Sequence, residues 1–63
     1  MKGKYSGFKD VNDREIYVGM LCEDTVNFNT VVIKEIGGRF FAVSNEFKPE
    51  PLEEISEGLR IIK

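Results

Sequence analysis

Few residues in this chain could do covalent chemistry. The 63 residues include one cysteine, Cys22, and no histidine. A cysteine nucleophile needs a base or a cation beside it to hold the thiolate at neutral pH, and histidine is the usual supplier. Cys22 therefore reads as a buried structural thiol. Ser6, Ser44 and Ser56 lack the same base, which excludes a Ser–His–Asp triad. A lone cysteine closes no internal disulfide, and a thiolate zinc site needs several ligands. No cofactor or metal is expected.

Carboxylates are the next candidates. Glu50, Glu53, Glu54 and Glu57 gather near the C-terminus. Such a group could hold a cation loosely, mimic nucleic-acid charge, or dock a basic partner. It also suits a solvated loop and helix start, where carboxylates favour the positive end of the helix dipole. A calcium loop needs alternating oxygen ligands and a glycine in register, and this spacing does not supply them. Asp10 and Asp13 read as turn residues, because Asp bonds its own backbone and tolerates left-handed conformations.

Binding chemistry is better represented. Seven aromatics, Tyr5, Phe8, Tyr17, Phe28, Phe40, Phe41 and Phe47, are more than so short a chain can bury. Exposed aromatics on a β surface stack bases or hold peptides. Tyr17, Phe28, Phe40 and Phe47 are the candidates for a binding surface, with Glu50, Glu53 and Glu54 as an acidic docking patch. Capture of polyproline is disfavoured, since the chain has no tryptophan. Lys34 and Arg39, with Lys2, Lys4 and Lys9, could form a modest basic stripe for nucleic acid. Nine Lys and Arg stand against eleven Asp and Glu, a net charge of −2, so ordinary surface charge is the simpler reading.

Length and composition limit what must position these residues. Sixty-three residues make one domain, residues 1–63, which buries only about 60% of its unfolded surface. That leaves no room for both a core and a deep catalytic cleft. Secreted domains of this size commonly need disulfides, so a reducing cytosol is expected. No apolar run approaches the roughly 20 residues that span a bilayer. No signal-peptide core follows Met1. The chain reads as a complete small cytosolic protein with no membrane association.

The elements follow from local pattern. Residues 1–4 read as a loose basic end. Tyr5 to Phe8 reads as a strand, Asp10 to Asp13 as a turn, and Glu15 to Val18 as a second strand with Ile16 and Val18 on one face. Gly19 breaks the run, and Met20 to Asp24 resumes it. A loop over Asp24–Asn29 precedes Thr30–Ile36, the strongest strand, which is rich in β-branched residues. Gly37-Gly38 predicts a two-residue hairpin turn. Ile36 then faces Arg39, Lys34 faces Phe41 and Val32 faces Val43. Both faces of that hairpin are largely apolar, and either could be core. Pro49 and Pro51 exclude a helix or central strand in the next connection. Leu52 to Ser56 reads as one helical turn with Leu52 and Ile55 against the core, Gly58 ends it, and Leu59 to Lys63 is a last strand. The expected fold is all-β: a small, strongly bent antiparallel barrel of the SH3-like type, with an OB-like barrel as the alternative.

One stretch carries a family resemblance. Tyr5-Ser6-Gly7-Phe8-Lys9-Asp10, then Asn12, then Glu15-Ile16-Tyr17-Val18-Gly19, resembles the YopX-like family of phage and prophage proteins. Gly38-Arg39-Phe40 and Leu59-Arg60-Ile61-Ile62 are similar to its later strands. The chain departs from the pattern where Asp13 replaces the turn glycine, where Arg14 is added before Glu15, and where Val18 and Met20 stand in place of acids. The resemblance implies a bacteriophage or prophage origin and a small β-barrel. It carries over no catalytic residue.

The functional expectation is a non-enzymatic phage or prophage accessory protein in the bacterial cytoplasm. It would bind a host or phage protein through an apolar face or sheet edge, and the same surface could drive self-association. The alternative is a nucleic-acid-binding barrel, which rests on fold analogy.

Overall fold

The glycine pair at 37 and 38 sets the frame of the sheet. Both glycines take positive φ, 60° and 82°, the conformation a two-residue hairpin turn requires. The turn joins β4 (Asn29–Ile36) to β5 (Arg39–Val43). Their register is the expected one: Ile36 opposite Arg39, Lys34 opposite Phe41, Val32 opposite Val43. The computed structural model describes residues 3–62. Met1 and Lys2 of the expected basic end, and Lys63 of the expected last strand, lie outside the described residues.

Five further strands complete the architecture. β1 (Tyr5–Lys9) and β2 (Glu15–Tyr17) form an antiparallel hairpin. β3 (Leu21–Asp24) pairs with β4, with Leu21 opposite Val32. β6 is a two-residue strand, Glu50–Pro51, placed against Phe41 and Ala42. It leads into α1 (Leu52–Ile55) and a 3₁₀ turn at Ser56–Gly58. β7 (Leu59–Ile61) then returns to pair with β3. The five-stranded sheet runs β6-β5-β4-β3-β7.

The all-β class, the antiparallel pairing and the single short helical turn are as expected. The strands form no closed barrel among the described residues; β6 and β7 are the edges of the sheet. Several boundaries differ from expectation: by one residue, β1 runs on to Lys9, β4 begins at Asn29 and β5 ends at Val43. β2 ends at Tyr17 and β3 begins at Leu21, because the Met20 amide donates to the Tyr17 carbonyl in a turn. β6 was not expected as a strand; proline is tolerated there because an edge position needs no second donor. The expected loose N-terminal end is tied down at Lys4, whose carbonyl accepts from the Val18 amide at 2.9 Å.

The core decides which face of the hairpin turns inward. Val31, Ile33 and Ala42 are buried, and with Cys22 of β3 they form one face of the sheet. Leu59 of β7 extends that face, and Ile16 from the β1–β2 hairpin and Leu52 from α1 cover it. Ile16, Ile33, Leu52 and Leu59 are fully buried, each worth about 1.5–3 kcal/mol. Ser6 fastens β1 to β2 where their register shifts: its Oγ donates to the Ile16 carbonyl at 2.7 Å and accepts from the Phe8 amide at 3.2 Å.

Candidate functional site

Alternation along the strands places a second apolar surface on the other side of the sheet. With Cys22, Val31, Ile33 and Ala42 inward, Leu21, Val32 and Val43 point outward. These three are in register across β3, β4 and β5. The Ile62 amide donates to the Leu21 carbonyl at 2.8 Å, which extends the row to Ile62. Phe41 and Pro51 form a neighbouring pair beside it. Ile62 is 49% exposed, and the other members are half-buried by one another. The elements that fill the core lie on the opposite face, so this one has no cover from α1 or the β1–β2 hairpin.

A groove of about 220 Å³ lies at the tip of β5 on the inner side. Its lining is Ser6, Phe8, Gly38, Arg39, Phe40 and Glu53. Phe8 and Phe40 are half-buried and pack on the core cluster, which makes them walls of the groove rather than free platforms. Arg39 Nη2 meets Glu53 Oε1 at 2.7 Å across the rim. Lys4 Nζ sits 5.9 Å from the Phe40 ring centre and pairs with Glu35 at 3.2 Å.

The predicted binding residues are therefore divided. Phe40 and Glu53 share the groove. Tyr17 belongs to the β1–β2 hairpin, its ring 5.3 Å from that of Tyr5 and its hydroxyl bonded to Glu15. Phe28 is 83% exposed at the β3–β4 turn and takes a positive φ of 57°. It borders a polar depression with Ser44, Asn45 and Glu46. Phe47 and Glu50 line a small cavity of about 10 Å³ with Asp24 and Asn29. Glu54 is exposed on α1. So the four aromatics form no single platform, and the glutamates form no single patch. The sequence reading missed Leu21, Val32, Phe41, Val43 and Ile62. The hairpin register carried the signal for Val32, Phe41 and Val43; the pairing of Leu21 with Ile62 spans most of the chain and had no local mark.

The ionisable groups inside the fold act as structure. Asp10 is 5% exposed. Its Oδ1 accepts from the amides of Asn12 and Arg14, and its Oδ2 from the amide of Ile61. Burial pushes its pKa up, but those amides and the Arg14 charge outweigh burial and hold the carboxyl below its ordinary value. Asp24 follows the same logic. Burial raises it, and hydrogen bonds from Asn27 and Val26 win. The expectation that Asp10 and Asp13 act as turn residues holds for Asp13, which takes a positive φ of 63°, and was too local for Asp10, which also holds β7. Burial, then the nearby Asp10 charge, push the Cys22 thiol up to about 11. Among the described residues, no group of three or more His, Cys, Asp or Glu could hold a metal.

Three cations of the expected basic stripe sit beside acids. Lys4 pairs with Glu35, Lys9 with Asp13 and Arg39 with Glu53. The β7 edge of the sheet is also occupied. The Leu59 carbonyl accepts from the Val11 amide at 2.8 Å, and the Ile61 amide is spent on Asp10. No described helix is long and apolar enough to cross a membrane. Compared with known proteins, the chain matches no family model, no curated protein and no solved structure.

Proposed function

We propose that this protein is a non-enzymatic phage or prophage accessory protein that binds another protein in the bacterial cytoplasm. The observation that carries the reading is the two-sided sheet. One apolar face is spent on the core, and the other, Ile62–Leu21–Val32–Val43 with Phe41 and Pro51, is only half-buried, with Ile62 49% exposed. Apolar surface that folding does not bury is characteristic of interaction sites. The non-catalytic part rests on the absence of histidine and on the buried, proton-retaining Cys22. The phage or prophage part rests on the YopX-like run from Tyr5 to Gly19 alone. Nucleic acid is the weaker partner, because Lys4, Lys9, Arg39 and Arg60 each sit beside a carboxylate.

The test is a pull-down from a bacterial lysate, with and without nuclease, using the wild type and Val32→Glu. A protein retained after nuclease and lost with Val32→Glu supports the reading. Loss on nuclease treatment overturns it in favour of nucleic acid.

A further inference from the structure

The outer face differs in charge from the chain that carries it. Lys34 lies opposite Phe41, and Arg39 lies one row further toward the hairpin tip. Arg60 and Glu23 face one another on the far side of the apolar row. All four point outward, by the same alternation that turns Leu21 and Val32 outward. The face thus holds Lys34, Arg60 and one carboxylate, Glu23, an excess of positive charge, while the whole chain has nine Lys and Arg against eleven Asp and Glu. Arg60 is paired with Glu23. Arg39 reaches off the face to Glu53 of α1. Lys34 is exposed and has no ion-pair partner among the described residues. Successive outward residues on a strand are about 7 Å apart, so Lys34 lies within one side-chain reach of the apolar row at Val32.

We infer that this face docks a protein segment whose apolar residues are flanked by Asp or Glu. The inference rests on the interaction-module reading and names the chemistry of its partner. Apolar residues of the segment cover Leu21, Val32, Val43 and Ile62. A carboxylate of the segment meets Lys34, the cation of this face that has no ion-pair partner among the described residues, while Arg60 stays paired with Glu23. A second copy of this chain fits poorly, because the face's one carboxylate, Glu23, is already paired with Arg60 and leaves nothing to meet Lys34 of the other copy. Nucleic acid also fits poorly. The row is aliphatic, whereas base stacking needs aromatic faces. The one aromatic of this face, Phe41, already carries the Arg39 guanidinium 5.5 Å from its ring centre.

The experiment is selection of short random peptides displayed on phage against the immobilised protein, followed by binding of the enriched peptides as synthetic molecules. Enriched peptides should combine apolar residues with Asp or Glu and lose binding to Val32→Glu. Lys34→Glu, a change at an exposed position outside the core, should weaken them about tenfold. Circular dichroism of both variants confirms that they are folded. Peptides that depend on Val32 but are neutral or basic overturn the acidic-partner inference and leave the docking face standing. A selection with no Val32-dependent peptide overturns both.

Discussion

Asp10 Oδ2 accepts a hydrogen bond from the Ile61 amide at 3.0 Å, joining residues 51 positions apart. The same carboxylate holds the Asn12 and Arg14 amides at 2.9 and 2.8 Å. One side chain shapes the β1–β2 turn and binds it to the last strand. Asp10→Ala should cost upward of about 1.5–3 kcal/mol, the worth of a single hydrogen bond to a charged group, because three are lost together. Chemical denaturation of the variant measures this directly.

The pH dependence follows from the same contact. The folded-state pKa of Asp10 lies below its ordinary 3.8, so folding favours the ionised form. The resulting stability is present in full above that ordinary value. It is lost as pH falls below 3.8 and through the folded-state pKa. Asp24 contributes in the same direction. Thermal melts at falling pH should show decreasing stability in acid, with a shallower slope in Asp10→Ala.

Cys22 has the opposite sign. Its folded-state pKa is about 11 against an ordinary 9.0, so folding favours the protonated thiol. That stability is complete below about pH 9 and is lost as pH rises toward 11. The thiol is 0% exposed. A thiol reagent at neutral pH should therefore label Cys22 only as fast as the protein opens, and immediately in denaturant.

Val32 and Ile33 are adjacent and face opposite ways. Ile33 is fully buried, so Ile33→Glu puts a charge in the core and should unfold the domain, whose whole stability is about 3–5 kcal/mol. Val32→Glu places the same charge on the outer face and should cost about 1 kcal/mol or less. Circular dichroism of the two proteins distinguishes them; equal unfolding would show that the outer face is also needed for the fold.

Phe28 holds a bulky side chain at a φ of 57°. A left-handed conformation costs roughly 1–2 kcal/mol in a residue of this kind, and asparagine tolerates it better. With 83% of the residue exposed, little burial is lost on replacement. Phe28→Asn should raise stability by about 0.5–1 kcal/mol, read from the shift in the unfolding midpoint.

Local grammar accounts for most of what the sequence revealed. Gly37-Gly38 fixed a turn and with it five cross-strand pairs from Val32–Val43 to Ile36–Arg39. Pro49 and Pro51 kept the following connection out of the sheet interior, and the spacing of Leu52 and Ile55 set the helical turn. The choice of core face was not legible, because Val31 and Val32 are chemically alike. It is settled by Ile16, Leu52 and Leu59, which arrive from distant segments. The candidate aromatics were chosen by type, and type does not report position. Phe40 was drawn into a core wall, while Phe28 and Phe47 went to a different end of the molecule. Asp10 was legible as a turn residue, and its bond to Ile61 was not, because nothing in either residue's neighbourhood points to the other.

Pro51 has a further consequence at the β6 edge. That strand is two residues long, includes a residue with no amide hydrogen, and carries the Glu50 charge. The opposite edge, β7, already gives its Leu59 carbonyl and Ile61 amide to the Val11–Asp10 loop. Neither border can template the strand-by-strand growth that builds amyloid fibrils.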